Sequence, residues 1–468
     1  MVLCPYYSVQ SVAAFAYHHN EKEWTVAFSR RLQEVREGFQ PAFWVANVTE
    51  LFERLSYYGV NAVLAIYLHE TLNFSQQQTG ELIGFFGGVV WFLPIIGGTL
   101  ADRFGFRRSL AGAYLVLSLG YFLLGSLSAS WMEPLKDALP LAVVVQLILC
   151  VPALGPAIVK PCVVGTTARA ASENVRSLGY SIYYTLVNIG GTLGPIMAFA
   201  VRRIIGIENV FRVSAFSVLL MFLATVLFYR EPDRLIEKQV SSFIQAFKNM
   251  FVVMTNWRFM AFLIIFSGFW IMFWQEFIAL PLFIRGYVNP NADVDLLTTV
   301  DPLAVILFQI LISYLTRKAR PFGAMTAGIL ITSLSWLILA VCDLSLQINT
   351  TVRIGSWDLP IQGLPVYAVL ALIVLAVGEM VQSPRYYEYV SRLAPPGQQG
   401  TYMGFSFLPI AIGFVVAGQI GGRLVNHFGE TLHRPNHLWF VIAGIGVLTT
   451  LLMWIYDKLV KPATTEGH

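Results

Sequence analysis

Apolar runs of about 20 residues recur from residue 40 to residue 457, each long enough as a helix to cross a hydrocarbon layer of roughly 30 Å. A membrane interior leaves no water for backbone polar groups, so runs of this length must satisfy their own hydrogen bonds as helices. The 468 residues are 56% hydrophobic and 12% charged, about half the charge of a soluble domain. That is too little to cover a water-facing surface of this size. Spans are read near residues 40–68, 77–100, 109–128, 138–167, 178–200 and 210–229, then near 258–287, 297–316, 323–345, 365–392, 398–422 and 437–457. The expected fold class is an all-α polytopic membrane protein of twelve transmembrane helices.

The gap between the sixth and seventh spans divides the chain into an N-terminal six-helix unit (38–230), a linker (231–257) and a C-terminal six-helix unit (258–460). Within the linker, "SSFIQAFKNMF" reads as an amphipathic helix lying at the interface. Residues 1–37 lack a basic start and an apolar core, so they read as a disordered tail or an over-extended start rather than a signal peptide. Residues 461–468 form a short tail. Most of the 31 lysines and arginines fall on one side if the N-terminus is placed inside. That asymmetry predicts both termini in the cytoplasm, in the cell's inner membrane. The net charge of +4 is a topology signal and gives no reason to expect a nucleic-acid partner. The expected surroundings are a lipid bilayer, with the chain acting as a monomer. Cys4, Cys150, Cys162 and Cys342 have no metal-ligand spacing and read as small buried hydrophobes, so no metal and no cofactor is expected.

Charges inside the spans need a reason, since each costs several kcal/mol near the bilayer centre, roughly 2.5 to 3.5 on insertion scales. In "ELFERLSYYG", Glu50, Glu53 and Arg54 stand at i, i+3 and i+4 and share one helix face. Tyr57, Tyr58 and Asn61 extend that face. Arg54 can pair with either carboxylate, which lowers the desolvation penalty of the cluster. A static ion-pair clamp between helices is one reading and a proton-handling group is the other. Lys160 lies in the fourth span, Glu276 in the seventh, and Glu379 in the tenth, followed by Arg385 and Glu388. None of the seven histidines lies mid-span, so a proton carrier here has to be a carboxylate whose proton affinity depends on a neighbouring Lys or Arg.

The loop "GGTLADRFGFRR", with Gly98, Asp102, Arg103, Gly105, Arg107 and Arg108, resembles the cytoplasmic loop motif of the major facilitator superfamily. Two six-helix bundles joined by a linker fit that fold, whose substrate site lies between the halves near the midplane. More specifically, "ELFERLSYYG" resembles the ExxER-F-x-YYG signature of the proton-coupled oligopeptide transporter (POT, or peptide transporter) family, with only Leu55 departing. "VKP" at Lys160, "YYTLVNIGGTLGP" around Asn188, "FWQE" at Glu276, "GEM" with "SP" at Glu379, and "MGFSFL" at Met403 are similar to further signatures of that family, in family order. The likeness runs from about residue 40 to 457.

The resemblance implies a proton-driven symporter of di- or tripeptides that works by alternating access. It implies that Glu50, Glu53 and Arg54 couple protons with Lys160, and that Glu276 links substrate to proton movement. Tyr57, Tyr58 and Asn188 would line the pocket, and Glu379 would meet a substrate amine or the gating lysine. Protons are then the coupling ion. Departures fall where the substrate is read. Asn61 stands in place of an arginine that holds a peptide carboxylate, and an amide offers no charged, bidentate fork. Trp91 replaces a tyrosine, and Ser406 replaces a tryptophan. Arg385, Tyr386, Tyr387, Glu388 and Tyr389 follow "SP", where small or aliphatic residues are usual. Arg385 is either half of a local pair with Glu388 or a cation that reads substrate. The alternatives to a peptide symporter are a symporter for another small anion, such as nitrate or an organic acid, and a transporter-like ligand sensor. The residues assemble no catalytic set, so an enzyme is not expected.

Overall fold

The computed structural model describes residues 37–95, 104–173, 175–232, 251–354, 357–395 and 399–460. The N-terminal tail, the loop residues Gly98, Asp102 and Arg103, most of the amphipathic linker stretch and the tail from Lys461 lie outside the described residues. Among the described residues, twelve long helices carry the fold. The first six are α1 (Pro41–Ile66), α2 (Gln76–Phe92), α3 (Phe106–Leu124), α4 (Leu141–Ala170), α5 (Arg176–Ile205) and α6 (Glu208–Phe228). The second six are α7 (Trp257–Phe273), α8 (Val300–Thr316), α9 (Pro321–Val341), α10 (Val366–Leu393), α11 (Leu408–Asn426) and α12 (Leu438–Leu459).

Among the described residues, nine helical segments are long and apolar enough to cross a membrane. The shortfall falls on α1, α2 and α3, for local reasons. Every 18-residue window of α1 contains Glu50, Glu53 and Arg54, α2 is described over 17 residues, and α3 opens on Arg107 and Arg108. At 30 residues each, α4 and α5 are longer than a hydrocarbon layer requires and must tilt or extend beyond it.

Helix pairing repeats from one half to the other. In the N-terminal half α1 packs on α5 and α6, α3 on α4 and α6, and α2 on α4. In the C-terminal half α7 packs on α11 and α12, α9 on α10 and α12, and α8 on α10. Adding six to each helix number of the first set yields the second. The halves meet through α2 on α11 and through α5 on α8, again a pair related by that rule. At one end of the molecule the chain enters α1, leaves α12 and runs through the linker; this end is called the linker face. There Arg107, in the first turn of α3, donates its backbone N–H to Glu231 at 2.9 Å and its guanidinium to the Val226 carbonyl.

The opposite end carries an element that the all-helical expectation did not include. Strands β1 (Gln347–Ile354) and β2 (Trp357–Pro365) form an antiparallel hairpin with a register shift between Ile348 and Thr350. Its alternating, β-branched "QINTTVRI" favours a strand over a loop, and Ile348 and Val352 stay exposed on it. On its exposed tip Arg353 donates to Asp358 at 2.7 Å, which holds that carboxyl below the usual carboxylate range.

At this hairpin face the halves are clasped. Arg202 of α5 donates to Asp295 at 2.9 Å and to Asp293 at 2.7 Å, and Arg203 donates to Asp293 at 2.8 Å. The hairpin steadies the acceptor: Gln362 N–H donates to Asp293 Oδ2 at 2.8 Å, and Asp293 N–H donates back to the Gln362 carbonyl at 3.0 Å. Arg285 grips Glu70 through two bonds of 2.8 and 2.6 Å, and Arg423 of α11 reaches Glu81 of α2 at 2.8 Å. Beneath these pairs α2 and α11 approach through Gly80, Gly84, Gly418 and Gly422, a small-residue stripe on each helix that lets backbones touch. A Cβ on Gly418 would stand 2.4 Å from both the Gly80 carbonyl oxygen and Gly84 Cα.

Those distances are too short for any side chain, so Gly418→Val is expected to hold the hairpin face apart. A short bis-maleimide linking Glu81→Cys to Arg423→Cys measures this. The cross-linking yield is expected to fall severalfold in the valine variant, and an unchanged yield would show that close helix contact is not what shuts this face.

Candidate functional site

The charged face of α1 is brought about by its own helical spacing and by α5. Gly190 and Gly194 of α5 let the α1 backbone approach, since a Cβ on Gly194 would lie 2.5 Å from the Leu55 carbonyl. Glu50 and Glu53 are fully buried and Arg54 is 3% exposed. Arg54 Nε donates to Glu53 Oε2 at 2.5 Å and stands 3.4 Å from Glu50 Oε1. One guanidinium is thus shared between two buried carboxylates. Both Glu50 oxygens and Glu53 Oε1 lack a hydrogen-bond partner among the described residues. Such a set is unbalanced in a low-dielectric interior, and a proton or a second cation restores it. The Arg54 guanidinium also lies 5.1 Å from the centre of the Tyr57 ring, which meets Tyr58 edge-on at 5.4 Å.

Lys160, expected to be that second cation, is within electrostatic reach of Glu50, Glu53 and Arg54. It makes no ion pair with them in this conformation. Its ammonium rests instead 4.1 Å from the Trp91 ring centre and 5.4 Å from that of Phe407. Pro161 follows it in α4, and three prolines, Pro152, Pro156 and Pro161, interrupt the helix hydrogen bonding around this stretch.

Glu276 occupies a break in the seventh span. Where the sequence suggested one continuous helix, α7 stops at Phe273, a 3-10 turn runs Trp274–Glu276, and a short helix, Ala279–Phe283, completes the crossing. Glu276 is 1% exposed, and neither carboxylate oxygen has a partner among the described residues. Its charged neighbours are Asp301 of α8 and Glu379 of α10, which are also electrostatic neighbours of each other. Asp301 was missed by the sequence reading, although it carries the same signal as Glu276: an acid within an apolar run, here just before Pro302.

Between the halves, Tyr58 of α1 and Tyr184 of α5 stand within electrostatic reach of Asp301 and Glu379. Tyr184 is 43% exposed although it lies mid-helix, so this space is open. Asn188 lines the same wall and donates to the Tyr184 carbonyl at 2.9 Å. Asn61 is buried on the turn after Tyr57 and Tyr58. Tyr387, one of the residues that depart from the family pattern after "SP", is within reach of Glu379 as well. The structure therefore gathers cations with two acids in the N-terminal half and three acids without a basic partner in the C-terminal half, across a tyrosine-lined gap.

Three expected pocket residues are placed differently. Of the two alternatives for Arg385, the structure shows the local pair: it donates to Glu388 at 2.8 Å and to the Thr316 carbonyl at 3.0 Å, while Arg392 takes the other Glu388 oxygen at 2.6 Å. Ser406 is fully buried, donates to the Met403 carbonyl at 2.6 Å and accepts from Tyr386 on its own carbonyl at 2.8 Å. It serves a turn, because the eleventh span divides into Gln399–Phe405 and α11, with Pro409 at the new helix start. Trp91 offers its ring face to Lys160. A separate groove of about 910 Å³ runs beside α2, α4 and α11, lined by Leu82, Phe85, Val89, Ile412 and Val415, and contains none of the candidate site residues.

The sequence profile of the Major Facilitator Superfamily matches residues 48–289 and 277–467. Dipeptide and tripeptide permease B of Shigella dysenteriae serotype 1 (strain Sd197) is 27% identical over 492 aligned residues, which span 91% of this chain and 97% of the permease. The protein of that name in Edwardsiella piscicida is also 27% identical, over 89% of this chain and 94% of its own length. Multidrug resistance protein MdtH of Escherichia coli O157:H7 is 20% identical over 86% of this chain and 91% of its own length. Among solved structures, a POT family transporter in complex with 5-aminolevulinic acid superimposes with a TM-score of 0.69 at 18% identity, over 90% of this chain and 96% of that one. The POT family transporter PepTSo does so with a TM-score of 0.70 at 17% identity, over 89% and 97%. Permeases align with the chain nearly end to end, and both halves match one superfamily profile, so the chain belongs to the major facilitator superfamily.

Proposed function

We propose that the chain is a proton-coupled symporter for di- and tripeptides or a related small solute bearing an amine, working by alternating access with both termini in the cytoplasm. The observation that carries this reading is the division of buried charge. Two acids share Arg54 in one half, three acids without a basic partner lie in the other, and open space separates them. Burial and pairing make the proton content of each group depend on what stands beside it. Movement of Lys160 or arrival of a substrate cation then changes which carboxylate keeps a proton, and that dependence is what couples a proton gradient to solute. The similar permeases are named for dipeptides and tripeptides, which supports the substrate class. The reading takes protons as the coupling ion, the cell membrane as the location and a monomer as the working unit.

A second reading is favoured by Asn61. At a site where a peptide carboxylate would be held, this chain offers an amide, and a charge-assisted hydrogen bond is worth about 1.5 to 3 kcal/mol. Simple dipeptides are then weak substrates, and a solute with an amine but no free α-carboxylate, or a differently placed anion, is preferred.

Uptake into proteoliposomes with an imposed pH gradient tests both. Glu53→Gln keeps the shape of the side chain but carries no proton. It is expected to abolish concentrative uptake while leaving solute exchange at equal pH intact, and accumulation by this variant would take Glu53 out of the coupling. Asn61→Arg is expected to tighten dialanine binding about tenfold or more, as one charged bond implies; thermal-shift titration reads it. Strong dialanine transport by the unaltered chain would remove the second reading.

A further inference from the structure

Lys160 is held in an unusual way for a half-buried cation beside acids. Its ammonium makes no ion pair or hydrogen bond among the described residues, although Glu50 and Glu53 are its electrostatic neighbours together with Arg54. It is seated on aromatic faces, 4.1 Å from the Trp91 ring centre and 5.4 Å from Phe407, both inside the roughly 6 Å limit of a cation–π contact. Those two rings lie 6.0 Å apart at 31° and form two walls of one cage. Trp91 belongs to α2 in the N-terminal half. Phe407 belongs to the turn before α11 in the C-terminal half. A third ring, Trp274, lies 6.1 Å from Trp91 and stacks on Phe414 at 4.0 Å, and it opens the same 3-10 turn that carries Glu276.

The contact thus crosses between halves on the linker side of the site, opposite the arginine clasp of the hairpin face. We propose that Trp91 and Phe407 form a cation–π latch for Lys160. The latch ties the two halves together on the linker side whenever Lys160 is not paired with the carboxylates of α1. Phe407 is then a positioning residue for proton coupling: it gives the lysine a second resting place in the opposite half, so that a change in the α1 carboxylates becomes a change in the contact between halves. This rests on the symport reading, which it deepens.

The test separates ring electrostatics from packing. Phe407→Leu keeps an apolar side chain and removes the negative ring face; Phe407→Tyr keeps the face. Gradient-driven uptake divided by exchange at equal pH is expected to fall roughly 2- to 30-fold in the leucine variant, the range to which a cation–π contact converts, and to be retained in the tyrosine variant. A series of fluorinated phenylalanines at position 407 weakens the ring face without changing its fit, and the ratio is expected to decline stepwise with fluorine count. A second readout needs no transport: spin labels on Arg108→Cys and Lys318→Cys, in a cysteine-free background, report the separation of the halves at the linker face. That separation is expected to lengthen in Phe407→Leu and along the fluorinated series. A flat series in the label distances overturns the latch. If the unaltered chain fails to concentrate solute while the label distances still follow ring fluorination, the symport reading falls and the latch stands.

Discussion

Everything in this molecule depends on how a low-dielectric interior treats the pair of carboxylates that share Arg54. Water would solvate each of these groups separately. Here Glu50, Glu53 and Arg54 are buried on one face of α1, and the helix supplies no further polar partner. The desolvation penalty of each charge is several kcal/mol and is offset only by its neighbours. The cluster therefore responds to any cation or proton that comes near. Lys160 is the nearest mobile cation, and its present seat on Trp91 and Phe407 leaves the α1 acids one positive charge short.

The opposite half mirrors the helix pairing without mirroring the charge. Glu276, Asp301 and Glu379 lie together, and among the described residues no basic side chain pairs with them. Breaks in the helices put them there. The seventh span yields a 3-10 turn at Glu276, and the eighth begins as a 3-10 stretch, Val294–Thr299, just before Asp301. Irregular backbone at membrane depth is tolerated where it is buried in protein or lines a cavity, which is where binding sites of such transporters are built. A substrate amine suits the acidic wall, and the tyrosines between the halves provide hydroxyls for a small polar solute.

Closure of the hairpin face is secured by two different forces. The glycine stripes of α2 and α11 bring backbones into contact, so dispersion acts over the length of the crossing. Arginines from both halves then meet acids of the opposite half in bidentate or shared geometry, and β1–β2 fixes Asp293 between Arg202 and Arg203. Bidentate guanidinium pairs are directional, so they specify the closed geometry more than they add to its strength.

Much of this was legible in the chain itself. Run length and charge scarcity determine a polytopic helical protein, because hydrocarbon thickness and backbone hydrogen bonding leave no other solution. Helical spacing alone places Glu50, Glu53 and Arg54 on one face, since i, i+3 and i+4 are local geometry. The lone acids Glu276 and Glu379 stand out against apolar runs. Tertiary structure decided what local geometry cannot. Arg385 pairs with Glu388 and Thr316 instead of entering the pocket, Ser406 closes a turn, and Asp301 stands near Glu379 across two helices. Arg202 and Arg203, at the end of α5, bind Asp293 and Asp295, about 90 residues away in the chain. Above all, Lys160 reads as the partner of carboxylates, and only the meeting of α2, α4 and the turn before α11 sets it on aromatic rings. Sequence spacing dictates which side chains share a helix face; which faces meet depends on packing between helices far apart in the chain, and a buried charge takes whichever partner that packing provides.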